Sequence, residues 1–242
     1  MSGAHPAARP GFGCHRYVTT ENNPAQVPEG VGLAGLREAA AGCRACELWE
    51  PATQTVFGEG PETARIVFVG EQPGYQEDLA GHPFVGPAGQ MLDRALGEAG
   101  IDRRRAYVTN AVKHFRFTPT PKRRIHQSPG AEHLAACRPW LEAEFAVLAP
   151  EVVVCLGAVA AKALISPSFR ITKERGRLMP WTPPGVRAAE AGDDEPEEEV
   201  PAQTWILATT HPSAVLRTPY DARAAAYDAL VADLKVVAHA LA

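Results

Sequence analysis

The sequence predicts an α/β fold, a three-layer sandwich in which a central four-stranded parallel sheet is flanked by helices. Three observations carry this expectation. Short runs rich in β-branched and aromatic residues recur along the chain: RIVFVG (65–70), AYVTN (106–110), VVVCLG (152–157) and TWILATT (204–210). VVVCLG is apolar almost throughout, which suits a strand covered on both faces. Segments with helical spacing lie between these runs, and that alternation builds parallel sheets through crossover helices.

Taken in order, residues 1–30 are rich in Gly, Pro, Ala and Asn, lack periodicity, and read as a flexible leader to a single domain over 31–242. Residues 31–50 read as a helix ending near a cysteine pair. The first strand is Arg65–Gly70. Pro87–Ala99 is a helix, with Ala88, Met91, Leu92, Ala95 and Leu96 on one face and Pro87 suited to the first turn. Ala106–Asn110 is the second strand. Ala131–Leu148 is a helix whose stripe is Leu134, Cys137, Leu141, Phe145 and Leu148. Val152–Gly157 is the third strand, with a short helix, Ala158–Ile165, directly after it. Thr204–Thr210 is the fourth strand and Asp221–Ala240 the closing helix.

Composition narrows the function classes. With 242 residues and 45 % hydrophobic content, the chain supports a substantial core. It has no apolar run long enough for a transmembrane helix and no basic-then-apolar start typical of a secretory signal, so a cytoplasmic protein without membrane contact is expected. The formal net charge of −4 argues against nucleic acid, but its distribution does not. Residues 183–202, a low-complexity insertion of Pro, Ala and Glu, carry seven acids against Arg187, and the rest of the chain is at +2. Between Lys113 and His126 stand five Lys or Arg and no acid, a local field that attracts phosphate. The acidic insertion is expected to be an exposed loop without catalytic role; if the chain binds DNA, like charge should turn this loop away from it. Five cysteines in a chain expected to be cytosolic argue against a disulfide framework.

Ligands of parallel sheets bind beyond the carboxyl ends of the strands. The polar residues there are Glu71 and Gln72, Asn110, and His211 with Ser213. Each has a bland alternative: Gly70–Gly74 as a tight turn, Asn110 as a turn residue, Ser213 as a helix N-cap, and Phe84 as a hydrophobic staple before a helix. Their functional readings fit one substrate class. A carboxylate orients a histidine or water, an amide matches a pyrimidine edge, an aromatic ring stacks on a base, and a histidine donates to a developing anion. Leu216 could wedge into a base stack, as minor-groove readers do. Lys122-Arg123-Arg124-Ile125-His126 places a histidine within the phosphate-attracting stretch. Cys43, Cys46 and Cys137 supply three soft ligands, and His114 is the best-placed fourth. Cys155 lies mid-strand and Cys14 in the leader. These ligand types fit an iron–sulfur cluster or a zinc site equally.

GEQPG (70–74), FVGPAG (84–89), TNAVK (109–113) and HPS (211–213), in this order, resemble the uracil-DNA glycosylase superfamily over about Leu33 to Ala240. The nearest branch is the iron–sulfur bacterial and archaeal enzymes. Gln72 in GEQPG and the inserted KRRIH (122–126) resemble the UdgX type, which ends its reaction covalently attached to DNA. The resemblance implies a 4Fe–4S cluster held by Cys43, Cys46, His114 and Cys137. It implies that Asn110 reads uracil, Phe84 stacks on it and His211 stabilises the departing base. Glu71 would orient or deprotonate His126, Gln72 would shape the pocket, and Arg124 would hold the loop. Asp78 is a substrate-site candidate; Tyr75 stands where the type can carry an acid and receives no role. Lys122, Arg123, Ser213, Leu216 and Arg217 would meet the DNA. The implied activity is single-turnover excision of uracil, preferably from single-stranded DNA, with His126 attached to C1′ of the sugar. The alternatives are a conventional multiple-turnover glycosylase and a non-catalytic uracil-DNA binder. The protein is expected to act as a monomer with no obligate protein partner, in a bacterial cytoplasm and at the nucleoid when bound to DNA.

Overall fold

The computed structural model describes residues 25–184 and 203–241. Cys14, the leader before residue 25 and the insertion from 185 to 202 lie outside the described residues. The described part of the leader contains a buried residue: Ala25 packs against the core, its N–H 3.4 Å from the Ala136 carbonyl.

Seven strands are present among the described residues: β1 (Ile66–Gly70), β2 (Ala106–Asn110), β3 (Phe117–Pro119), β4 (Arg124–His126), β5 (Val152–Leu156), β6 (Met179–Trp181) and β7 (Thr204–Thr209). The helices are α1 (Leu33–Ala40), α2 (Tyr75–Ala80), α3 (Pro87–Ala99), α4 (Ala131–Leu148), α5 (Ala158–Leu164), α6 (Ile171–Glu174), α7 (Pro212–Arg217) and α8 (Tyr220–Ala240). The central sheet runs β2-β1-β5-β7-β6. Its first four strands are parallel, as expected.

Two pieces of the sheet layer differ from the expectation. β6 adds a fifth, antiparallel strand beside β7. Its sequence, Met179-Pro180-Trp181, is too short for alternation to register, and proline is tolerated because this is an edge. Residues 117–126 are not an open loop but a separate hairpin of β3 and β4.

Both faces of the sheet are buried. Along β1 and β5 successive side chains enter opposite cores, as a two-residue period requires. Val67, Val69, Val153 and Cys155 join Leu36, Phe57, Trp140, Leu141 and Phe145 on the side of α1 and α4. Ile66, Phe68, Val152 and Val154 join Leu92, Leu96, Leu230 and Leu234 on the side of α3 and α8. Each fully buried Leu, Val or Phe contributes about 1.5–3 kcal/mol relative to exposure, which is why the apolar runs fix these layers. α3 begins with Pro87 and ends at Gly100, whose φ of 81° only glycine adopts readily. The helix expected over 31–50 stops at Ala40. Gly42 follows, and a short 3₁₀ turn, Glu47–Trp49, comes after the cysteine pair. That bend brings Cys43 to α4, where the Trp140 indole N–H donates to its sulfur at 3.3 Å. Among the described residues no helix is long and apolar enough to cross a membrane.

Parallel register sets up the site. Gly70 pairs with Asn110 and Leu156 with Thr209, so the strands end together. The pairing continues past the ends: Ala111 and Val112 donate to the Gly70 and Glu71 carbonyls, and Gly157 donates to the Thr209 carbonyl.

Candidate active site

A cleft of about 750 Å³ opens at this carboxyl edge. Its walls include Glu71, Glu77, Phe84, Asn110, His126 and His211. Asn110 is 3 % exposed, and its carboxamide has no hydrogen-bond partner among the described residues. An amide held at a cleft wall with donor and acceptor unspent is equipped to read a planar polar ligand.

Phe84 adopts φ 58°, a left-handed conformation costly for a bulky residue. Two glycines make room for it. A Cβ on Gly89 would overlap the Phe84 carbonyl, and one on Gly70 would lie 2.8 Å from Phe84 Cζ and strike Asn110 Oδ1. The N-cap of α3 is Gly86, and the residue before it is the exposed Val85, so Phe84 does not occupy the staple position. Its ring stacks instead on His211, centroids 6.1 Å apart and planes inclined 29°.

His211, rather than Ser213, caps α7. Its Nδ1 accepts the Ser213 backbone N–H at 3.1 Å and lies 2.8 Å from the Ser213 hydroxyl, which accepts from Arg217. With Nδ1 accepting, the ring proton sits on Nε2. Burial pushes the His211 pKa down to about 4, with the Arg217 and His126 charges adding to the fall. The residue is therefore a neutral N–H donor near pH 7, suited to a growing negative charge.

The hairpin carries His126, opposite Phe117 in register. Its turn is closed by Thr120, whose N–H and hydroxyl both donate to the Arg123 carbonyl, at 2.9 and 2.6 Å. Gln72 pins the base of the hairpin. Its Nε2 donates to the Arg116 and Gln127 carbonyls, each at 3.1 Å, and its Oε1 accepts from the Arg116 N–H at 3.1 Å. Both N–H donors of that amide are spent on the backbone, so Gln72 shapes the cleft by holding the hairpin. Arg124 bonds Asp78 at 2.6 Å and Thr53 at 3.0 Å and lies over the Phe117 ring. Asp78, wholly buried, also accepts from the Thr53 N–H and hydroxyl. Asp78 is thus the anchor of Arg124 and does not line the cleft.

His126 is 50 % exposed, and its Nε2 lies 3.9 Å from Glu71 Oε1, beyond hydrogen-bond reach. That Glu71 oxygen is buried without a hydrogen-bond partner among the described residues. Leaving a carboxylate oxygen so costs free energy, and the nearby donor is the imidazole. Lys122 and Arg123 stand exposed at the hairpin turn, Ser213 and Arg217 line the cleft beside His211, and Leu216 is half-buried and does not line it.

Two features of the site carried no expectation. Glu77 accepts the Gly86 N–H at 2.9 Å and so ties α2 to the loop holding Phe84. Beneath Asn110 lies a buried ion pair, Lys113 Nζ to Glu144 Oε2 at 2.5 Å. The same ammonium donates to the Thr109 hydroxyl and the Asn110 carbonyl, while Tyr107 and Thr109 donate to Glu144. Glu144 stands three residues after Leu141 and seven after Cys137, so its place on the buried stripe of α4 was readable. Its partner was not.

Cys43, Cys46 and Cys137 meet where α4 faces the bend after α1. Burial pushes the Cys137 thiol up to about 12, Lys113 opposes this, and Cys46 and Cys43 are near enough to add to the rise. The Lys113 N–H donates to Cys137 Sγ at 3.2 Å. His114 is neutral, burial pushing its pKa down to about 4 against the opposing charge of Asp78. Thr55 donates its hydroxyl to the Ala40 carbonyl at 3.0 Å, so it accepts from His114 Nε2 at 2.9 Å. The His114 Nδ1 lone pair is thereby free. Among the described residues no three His, Cys, Asp or Glu side chains close around a single metal ion. A cluster differs, since each ligand binds its own iron, and N–H-bonded sulfurs with a neutral imidazole fit that donor set.

Residues 57–235 match the family model described as the uracil DNA glycosylase superfamily. The chain is 33 % identical over 192 residues to a type-4 uracil-DNA glycosylase of Sulfurisphaera tokodaii, covering 77 % of each chain. It is 35 % identical over 189 residues to one of Pyrobaculum aerophilum, covering 78 % of this chain and 87 % of the relative. With that of Thermotoga maritima it shares 41 % identity over 150 residues, 60 % of this chain and 73 % of the relative.

Proposed function

Because the chain belongs to the uracil DNA glycosylase superfamily, we propose that it cleaves the N-glycosidic bond of deoxyuridine in DNA and ends covalently joined to the sugar, as the UdgX type does. The observation that carries the covalent step is the unpartnered Glu71 oxygen facing His126 on a hairpin braced over the same cleft as Asn110, Phe84 and His211.

The base must leave its stack to reach the cleft, which favours single-stranded or unpaired uracil. It lies on Phe84 with its polar edge against the Asn110 amide. The C1′–N1 bond breaks with its electron pair going to uracil, and the His211 Nε2–H donates to the resulting anion. Fixed donors aimed at developing charge lower the barrier without reorganising during the reaction. One nitrogen of His126 forms the new bond to C1′, and the proton on the other passes to Glu71. The uracil anion later takes a proton from water. The alkylated imidazole is a poor leaving group, so turnover stops at one.

Cys43, Cys46, Cys137 and His114 through Nδ1 would hold a 4Fe–4S cluster. When bound, it supplies a cross-link between the bend after α1, α4 and the segment leading to the hairpin. A brown protein with broad visible absorbance fits this; a colourless one containing zinc overturns it. The protein acts as a monomer at DNA in the cytoplasm, with residues 31–242 as one domain.

The experiment is a denaturing gel of protein mixed with a uracil-containing single-stranded oligonucleotide. A slow band surviving SDS and heat is expected. His126→Ser should lose it and release free uracil as water replaces the imidazole. Absence of the band with wild-type protein, together with uracil in excess of enzyme, would establish conventional turnover instead. Binding without uracil release would leave only a DNA binder.

A further inference from the structure

Tyr75 opens α2 directly after Pro73 and Gly74, which line the cleft, yet its own ring points away from the core and is 51 % exposed. Scattered exposed aromatics are ordinary on protein surfaces. This ring differs in being held. The Arg124 guanidinium stands 5.7 Å from its centroid, and the same guanidinium is tied to Asp78 and Thr53 and covered by Phe117 at 4.6 Å. Arg124 therefore orients the ring while its charge is already paired. Leu79, one helical turn along, is also 51 % exposed and extends the apolar ledge on the same helix face.

The ledge is in register with the reacting position. In β4, Arg124 and His126 are two residues apart and so project from one face of the hairpin, about 7 Å apart along the strand. A nucleotide whose C1′ meets His126 brings its neighbour over Arg124 and Tyr75.

We propose that Tyr75 is a second nucleotide subsite, a platform on which the base next to the extruded uracil stacks. This rests on the reading that uracil enters the cleft. The ligand is any nucleobase, since each has a π-face that can stack on the ring. In a duplex the neighbouring base stays within its own stack and the platform goes unused. The subsite thus gives a physical origin for preference toward single strands.

The test uses the full-length chain and single-stranded oligonucleotides carrying 2′-fluoro-deoxyuridine, which resists cleavage so that equilibrium binding is read by anisotropy. On either side of the uracil in turn, the neighbouring base is kept or replaced by an abasic tetrahydrofuran. With the base present, Tyr75→Ala should weaken binding roughly 5- to 150-fold, the range of one base–aromatic stack. Tyr75→Trp should restore it. With the abasic neighbour on the stacking side, wild type and Tyr75→Ala should bind alike. If the two changes instead multiply independently on both sides, no base stacks on Tyr75 and the proposal falls. Asn110→Ala separates this from the larger reading. Should wild type fail to prefer uracil over thymine, or Asn110→Ala leave that preference intact, the base-recognition assignment fails whatever Tyr75 does.

Discussion

The cleft has two halves built in different ways. The half holding Asn110, Phe84 and His211 grows from strand ends and tight backbone turns, with its supports inside the core. The half holding His126 is a short hairpin outside the sheet, joined to it through a few side chains, chiefly Gln72 and the Arg124–Asp78 pair. On the proposed reading, base recognition thus rests on burial, and the proposed nucleophile rests on individual polar bonds. A fold can therefore gain or lose covalent chemistry at the hairpin without rebuilding the half that receives the base.

The largest expected effect concerns the buried half. Lys113→Met strands the Glu144 carboxylate in the core and should cost about 3–5 kcal/mol, read from the urea midpoint. Pairing it with Glu144→Leu should recover most of that loss, since a well-packed apolar pair replaces a buried ion pair at little cost. If Lys113→Met is harmless, the base-receiving half does not depend on its buried support.

Gln72→Ala removes three bonds at the base of the hairpin. A misplacement of about 1 Å can cost up to about 100-fold in rate, so adduct formation in single-turnover assays should slow by about 10- to 100-fold. Affinity for uracil DNA should stay within about threefold, because the removed bonds hold the hairpin and not the base. Equal losses in rate and affinity would show that the halves are not separable. Asp78→Asn should act the same way and more weakly, about five- to tenfold on rate, since Gln72 still holds the hairpin.

The remaining effect is a pH dependence. The folded-state pKa of His211 is lowered from 6.5 to about 4, so between these values the unfolded chain binds more protons. The stability contributed is complete above about pH 6.5 and falls as pH drops toward about 4. His211→Asn should flatten the stability curve in that window. An unchanged slope would mean that the ring is not held neutral by its surroundings.

Much of this was legible because it is local. Ala106–Asn110, Pro87–Ala99 and Ala131–Leu148 form with the boundaries their periodicity indicates. The strand-end residues converge because a parallel register leaves them no other place. β6 was not legible, since three residues containing proline carry no alternation. The early end of α1 was not; the bend after it seats Cys43 against Trp140, a contact across 97 residues. Gln72 shapes the cleft as expected, but its backbone partners were not legible. Asp78, a substrate-site candidate by residue type, is spent instead on Arg124 and Thr53.

Sequence alone determined the layers, the four parallel strands and the edge at which the chemistry gathers. Hydrophobic periodicity is a property of neighbouring residues, and burial follows from it directly. Only the tertiary structure chose partners for the buried polar groups. Lys113 meets Glu144 across 31 residues, Gln72 meets Arg116 across 44, and Arg124 meets Asp78 across 46. A hydrogen bond needs a distance and an angle that no spacing along the chain encodes. Whether an amide reads a base or braces a hairpin is settled when the two segments come together.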